Sequence, residues 1–146
     1  MGMNMIKAIA ISDRISISSI DDRDIYSLIE MVRQGIKFSS FTSLVGKSPF
    51  NLSEWSGFLH LSERTMQRYK KEKTTFGNIH SEKILQLTLL FKYGAEVFGD
   101  KEHFNTWLET DNVALGKIKP KTLLDSSFGI DMIKDELSRI EQGVLA

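Results

Sequence analysis

The sequence predicts an all-α chain, with an N-terminal helix-turn-helix bundle followed by a smaller helical domain. Three observations carry that prediction. Apolar residues recur at helical spacing through Ile25, Leu28, Ile29 and Val32, and again through Ile133, Leu137, Ile140 and Val144. Between Asn51 and Lys73 a short helical pattern, a tight turn and a second helical pattern follow in close succession. From Ser81 to Phe98 the chain is apolar on more than one helical face, as a central helix or a dimer interface would be.

Composition bounds the class. The chain of 146 residues carries 19 basic and 19 acidic side chains and no cysteine. That length makes one or two small domains with room for a core. Lack of cysteine excludes disulfides, thiolate metal sites and a cysteine nucleophile, and fits a reducing cytoplasm. No apolar run reaches bilayer-spanning length and no signal-peptide layout is present, so a cytoplasmic protein without a membrane partner is expected. Charge is unevenly placed. Arg64, Arg68, Lys70, Lys71 and Lys73 stand against Glu63 and Glu72, whereas Asp131, Asp135, Glu136 and Glu141 load the last helix. A basic middle and an acidic end point to two different partners.

Residues 1–22 read as an N-terminal arm. Ile9, Ile11, Ile15 and Ile17 alternate with polar residues, which suits a short strand or an arm that orders on a partner, and the arm is preferred. Residues 23–76 form the predicted DNA-binding domain. Asp24 caps its first helix and Gly35 stops it. A second, shorter helix carries Phe41, Leu44 and Val45 and stops at Gly46, before the connector Lys47-Ser48-Pro49. Asn51 with Glu54 makes a capping box for the third helix. Trp55 and Leu59 face inward, Ser56 is small where two helices cross, and His60 takes a turn position where glycine is common.

Ser62 then caps the next helix, from which Met66 and Tyr69 face inward. The same spacing suits a plain αα-hairpin in a bundle. The basic residues favour DNA. Arg64, Gln67, Arg68 and Lys71 fall near one exposed face, and with Ser62 and Thr65 they form the predicted DNA-binding set. Arginine pairs bidentately with guanine, glutamine with adenine, and lysine mainly with phosphate.

Thr74 to His80 reads as the connection between domains, with Gly77-Asn78 as a turn signal, and residues 80–146 form the second domain. Its long helix places Ile84, Leu85, Leu87, Leu90, Phe91, Ala95, Val97 and Phe98 on several faces, and that apolar excess predicts a homodimer. Gly94 lowers helix propensity by about 1 kcal/mol against alanine and marks close approach of a neighbour. Asp100 caps a helix ending at Trp107-Leu108. Phe128-Gly129 starts the terminal helix, and Gly143 supplies a left-handed stop. His60, His80 and His103 are dispersed, and no phosphate-cradling loop or nucleophile elbow is present. No metal, cofactor or catalytic residue is expected.

The last third of the chain has fixed punctuation: Ala95, Val97-Phe98, Trp107-Leu108, Asn112, Ala114-Leu115-Gly116, Pro120, Leu123-Leu124-Asp125, Gly129, Leu137, Arg139-Ile140 and Gly143. In this it resembles the C-terminal toxin-binding domain of Xre/MbcA/ParS-type antitoxins, the antitoxin halves of RES–Xre toxin–antitoxin pairs. The chain departs from the family pattern at Phe104, Asp111 and Lys117. Residues 51–73 resemble, more loosely, the Xre-like helix-turn-helix of the same antitoxins. The resemblance implies a RES-domain toxin partner that consumes NAD, hetero-oligomers with that toxin, and repression of the chain's own operon through operator DNA. The other reading is a stand-alone dimeric helix-turn-helix transcription regulator.

An antitoxin needs a rigid surface that occupies its partner's substrate cleft. Lys117, Lys119 and Pro120 on a turn, with Arg139, Gly143 and Val144 at the end of the terminal helix, form the predicted toxin-binding set. Glu141 joins it, because a pocket for dinucleotide phosphates is basic and accepts a carboxylate in their place.

Overall fold

Asp24 is the first of residues 24–143, the span described by the computed structural model, and it starts the first helix. Its carboxylate accepts from the Ser27 backbone N–H at 3.2 Å and from the Ser27 hydroxyl at 2.7 Å, capping α1 (Ile25–Gln34). The arm predicted for residues 1–22 and the end of the chain at Val144 lie outside the described residues. Gly35 ends α1 at φ 85°, as expected. The helix turns differently from the prediction, however. Leu28 and Met31 are buried, whereas Ile25 and Ile29 are 54% and 39% exposed.

Helix α2 (Phe38–Lys47) runs one residue past its predicted stop at Gly46 and closes at Ser48. Ser48 is the joint of this region. Its hydroxyl donates to the Val45 carbonyl at 2.8 Å and accepts from the Trp55 indole N–H at 2.9 Å. Trp55 is thereby satisfied while fully buried, which a tryptophan in a core needs. Phe41 meets the edges of Trp55 at 5.4 Å and Phe76 at 4.9 Å, and Phe38 stacks on Phe76 at 5.8 Å.

The place of Phe76 corrects the predicted boundary between domains. Its backbone N–H donates to the Ile36 carbonyl at 2.8 Å, and Thr75 bridges Lys37 in antiparallel fashion. Buried Ser81 takes the Ile36 N–H at 2.9 Å and donates to the Phe76 carbonyl at 3.1 Å. Residues 74–80 are therefore tied into the first domain rather than forming a connection. The chain divides into two compact units, Met1–Leu89 and Leu90–Ala146, and the division falls inside the long helix α5 (Asn78–Phe98). On α5, Ile84, Leu85, Leu87, Leu90 and Phe91 are buried. Of the two roles the sequence allows this helix, the core helix is the one observed.

In the second unit the ring of Phe104 stacks between Phe98 at 5.9 Å and Trp107 at 6.0 Å. Gly94 gives that stack its room, since a Cβ there would collide with the Phe104 ring. Asp100 caps α6 (Lys101–Leu108) through the His103 N–H at 2.8 Å. The backbone N–H and the ring of His103 hold the Asp100 carboxyl below its ordinary value of 3.8. Asn112 then closes a loop on itself. Its N–H donates to the Ile118 carbonyl at 2.9 Å, and its side chain caps the 3-10 turn Val113–Leu115. A second 3-10 turn, Pro120–Leu123, leads to α7 (Ser127–Gly143). Gly129 lies so close against the Leu123 carbonyl that any side chain would displace it. Ile130, Ile133 and Leu137 are buried, and Ile140 is half-buried. Gly143 is helical, so the expected left-handed stop is not there.

Candidate nucleic-acid interface and partner surface

The first unit presents a helix-turn-helix built from local chemistry. Asn51 and Glu54 form the predicted capping box of α3 (Leu52–Phe58), with bonds of 2.9 Å and 3.2 Å. The turn is fixed by Leu61 donating its N–H to the Ser56 carbonyl at 2.9 Å and by His60 at φ 58°. Ser62 then starts α4 (Glu63–Glu72), its hydroxyl accepting from the Thr65 N–H at 3.0 Å. Met66 is buried and Tyr69 half-buried, which anchors one side of α4 in the aromatic core.

The other side carries the predicted set. Arg64, Gln67, Arg68 and Lys71 are all exposed, one or two turns apart, and so are brought together on one face. Ser62 and Thr65 play a different part. The Ser62 hydroxyl donates to Thr65 Oγ1 at 2.9 Å, so both build the helix start. The Arg68 guanidinium lies 5.7 Å from the Tyr69 ring centre, close enough for a cation–π contact.

Two residues of this surface escape the prediction. The Ser53 hydroxyl donates to the Glu63 carboxylate, linking the first turn of α3 to the first turn of α4. With Arg64, Gln67 and buried Met66 they line a groove. Their spacing in sequence carries no recognisable motif, and only the position of Glu63 at the head of α4 signals it.

The predicted toxin-binding set falls into two groups at different ends of α7. Lys117, with φ 63°, and Lys119 are exposed on the segment that leads to the Pro120–Leu123 turn, beside the start of the helix. Pro120 itself is buried, so it shapes this segment rather than offering contact. Arg139, Glu141 and Gly143 lie at the other end, about 15–20 Å along the axis from Gly129 at the usual helical rise. Arg139 is held to Glu136 through Nε at 3.0 Å and Nη2 at 2.9 Å. Glu141 accepts from the Tyr93 hydroxyl. Desolvation first, then this carboxylate, push the tyrosine above its ordinary pKa. Val144 lies outside the described residues. The sequence missed Phe128 and Met132, one turn apart on α7 and 85% and 45% exposed.

Among the described residues no histidine and carboxylate cluster could hold a metal ion, and no helix is long and apolar enough to cross a membrane. A helix-turn-helix with an exposed basic face, followed by a separate helical unit, defines a DNA-binding regulator with a second binding domain. Residues 27–88 match the antitoxin Xre-like helix-turn-helix domain, and residues 94–143 match the antitoxin Xre/MbcA/ParS C-terminal toxin-binding domain. The two matches fall on the two compact units, and the chain belongs to the Xre/MbcA/ParS antitoxins. No curated protein matches it.

Proposed function

We propose that this chain is a non-enzymatic antitoxin that neutralises a RES-domain toxin by covering its NAD-consuming site, and that represses its own operon through α4. The observation that carries the reading is the pairing of an exposed basic face on α4 with a matched toxin-binding domain in the same chain. Arg64 and Arg68 read bases, Lys71 meets phosphate, and Ser62 and Thr65 set the angle at which α4 enters the groove. In the second unit, Lys117 and Lys119 form one contact and Arg139, Glu141, Gly143 and Val144 the other, with Pro120 fixing the backbone of the first.

A homodimer belongs to the same proposal, because two recognition helices match a two-fold operator. Its support moves from α5, whose apolar residues are buried, to α1, where Ile25, Tyr26 and Ile29 leave one apolar face exposed.

Co-expression tests the central claim. Bacteria expressing the RES toxin alone are expected to lose NAD and stop growing, and this chain is expected to restore both. Unchanged NAD loss in its presence would remove the RES toxin as the partner.

A further inference from the structure

Glu63 stands at the head of α4 as an exposed carboxylate beside three exposed polar or cationic residues of the predicted DNA-binding face. Two effects oppose one another there. The first-turn N–H groups of α4 favour a negative charge at this end of the helix. DNA phosphates repel it, so an undirected carboxylate would weaken binding to every sequence alike. Glu63 is directed. The Ser53 hydroxyl donates to one of its oxygens while the residue stays exposed on the groove that Arg64 and Gln67 also line. Buried Met66 fixes the roll of α4 beneath them. A recognition helix presents its N-terminal residues to base edges, and Glu63 is the first of them.

We propose that Glu63 determines specificity by accepting a hydrogen bond from the exocyclic N4 amino group of one cytosine, with Ser53 as its positioning residue. In the major groove only cytosine and adenine offer an amino donor. Adenine sets the N7 acceptor beside that donor, which repels a carboxylate, and guanine and thymine present acceptors. Glu63 therefore weakens binding wherever the base it faces is not cytosine, which is discrimination by repulsion. The role depends on α4 lying in a major groove as proposed above, and one experiment separates the two.

The full chain, as wild type, Glu63→Gln and Ser53→Ala, is used to select binders from a pool of duplex DNA with a randomised centre. The wild type is expected to enrich a motif in which cytosine is favoured about tenfold at one position of each half-site. A glutamine amide pairs with adenine, so Glu63→Gln should move that position, and no other, from cytosine to adenine. Ser53→Ala should keep cytosine there with a weaker preference. Thermal melts of the three proteins are expected to coincide, which sets a change in reading apart from a loss of fold. A wild-type motif that Glu63→Gln leaves unchanged at every position would overturn the role of Glu63 alone. A wild type that enriches no motif would overturn the groove assignment of α4, and the role of Glu63 with it.

Discussion

Arg64 and Arg68 stand one turn apart on the exposed side of α4. Replacing either with alanine is expected to weaken operator binding by about 1–3 kcal/mol, because a bidentate contact to a base edge is lost. Lys71→Ala should instead lower the slope of log affinity against log salt by about one, with little effect on base preference. Titrations across a salt series distinguish the two outcomes, and full affinity in an Arg64/Arg68 double alanine protein would leave α4 without a role in the groove. These side chains were legible because a helix alternates inside and outside every turn, and Met66 marks the inside. Other residues were not. Phe76 is buried although it sits in a polar stretch with turn signals, since its partners Phe38, Phe41 and Tyr69 come from other helices. The bond between Tyr93 and Glu141 joins two helices far apart in sequence, so no local pattern announces it.

Helix ends were the most readable elements, since a cap needs only its own first turn. Asp24, Asn51, Ser62 and Asp100 all cap where expected. Asp100 also ties stability to pH. Its carboxyl is held below 3.8 by the His103 N–H and ring, so its ionised form stabilises the fold. That contribution is fully present above the ordinary value and is lost as pH falls through the lowered one. Melting temperatures measured from neutral pH into this acid range should show the wild type losing its advantage over Asp100→Asn, which still caps but does not titrate. Parallel pH curves for the two proteins would mean that the charge contributes nothing. Helix α5 tests packing in the same way. Gly94→Ala drives a methyl into the Phe104 ring and should destabilise the fold by about 1–3 kcal/mol, read from denaturant unfolding. An unchanged midpoint would mean that the ring gives way freely. The sequence pointed to a close neighbour at Gly94 but not to Phe104, ten residues on, because only the fold folds α6 back on α5.

On the scale of the whole molecule, both matched domains were legible, while the boundary between them was not. A helix of 21 residues holds no glycine-proline break where the units divide, so the sequence places the boundary at the turn signals before it. The sequence likewise groups Lys117 with Arg139, which α7 separates. That separation makes the two proposed toxin contacts independently removable. Deleting the residues after Ile140 takes away Glu141 and the chain end but keeps Ile130, Ile133 and Leu137 in the core. The truncated protein is expected to melt close to the wild type, with some loss from the Tyr93 hydroxyl losing its acceptor. It should bind operator DNA unchanged, because α4 belongs to the other unit. It should also fail to protect cellular NAD from the toxin. Replacing Lys117 and Lys119 with glutamate is the complementary change, on exposed positions. If the truncated protein protects NAD fully and the glutamate variant does not, the contact lies at the start of α7. Full protection by both would remove Lys117, Lys119 and the residues after Ile140 from the interface and leave Arg139 with exposed Phe128 and Met132 as the surface to test next.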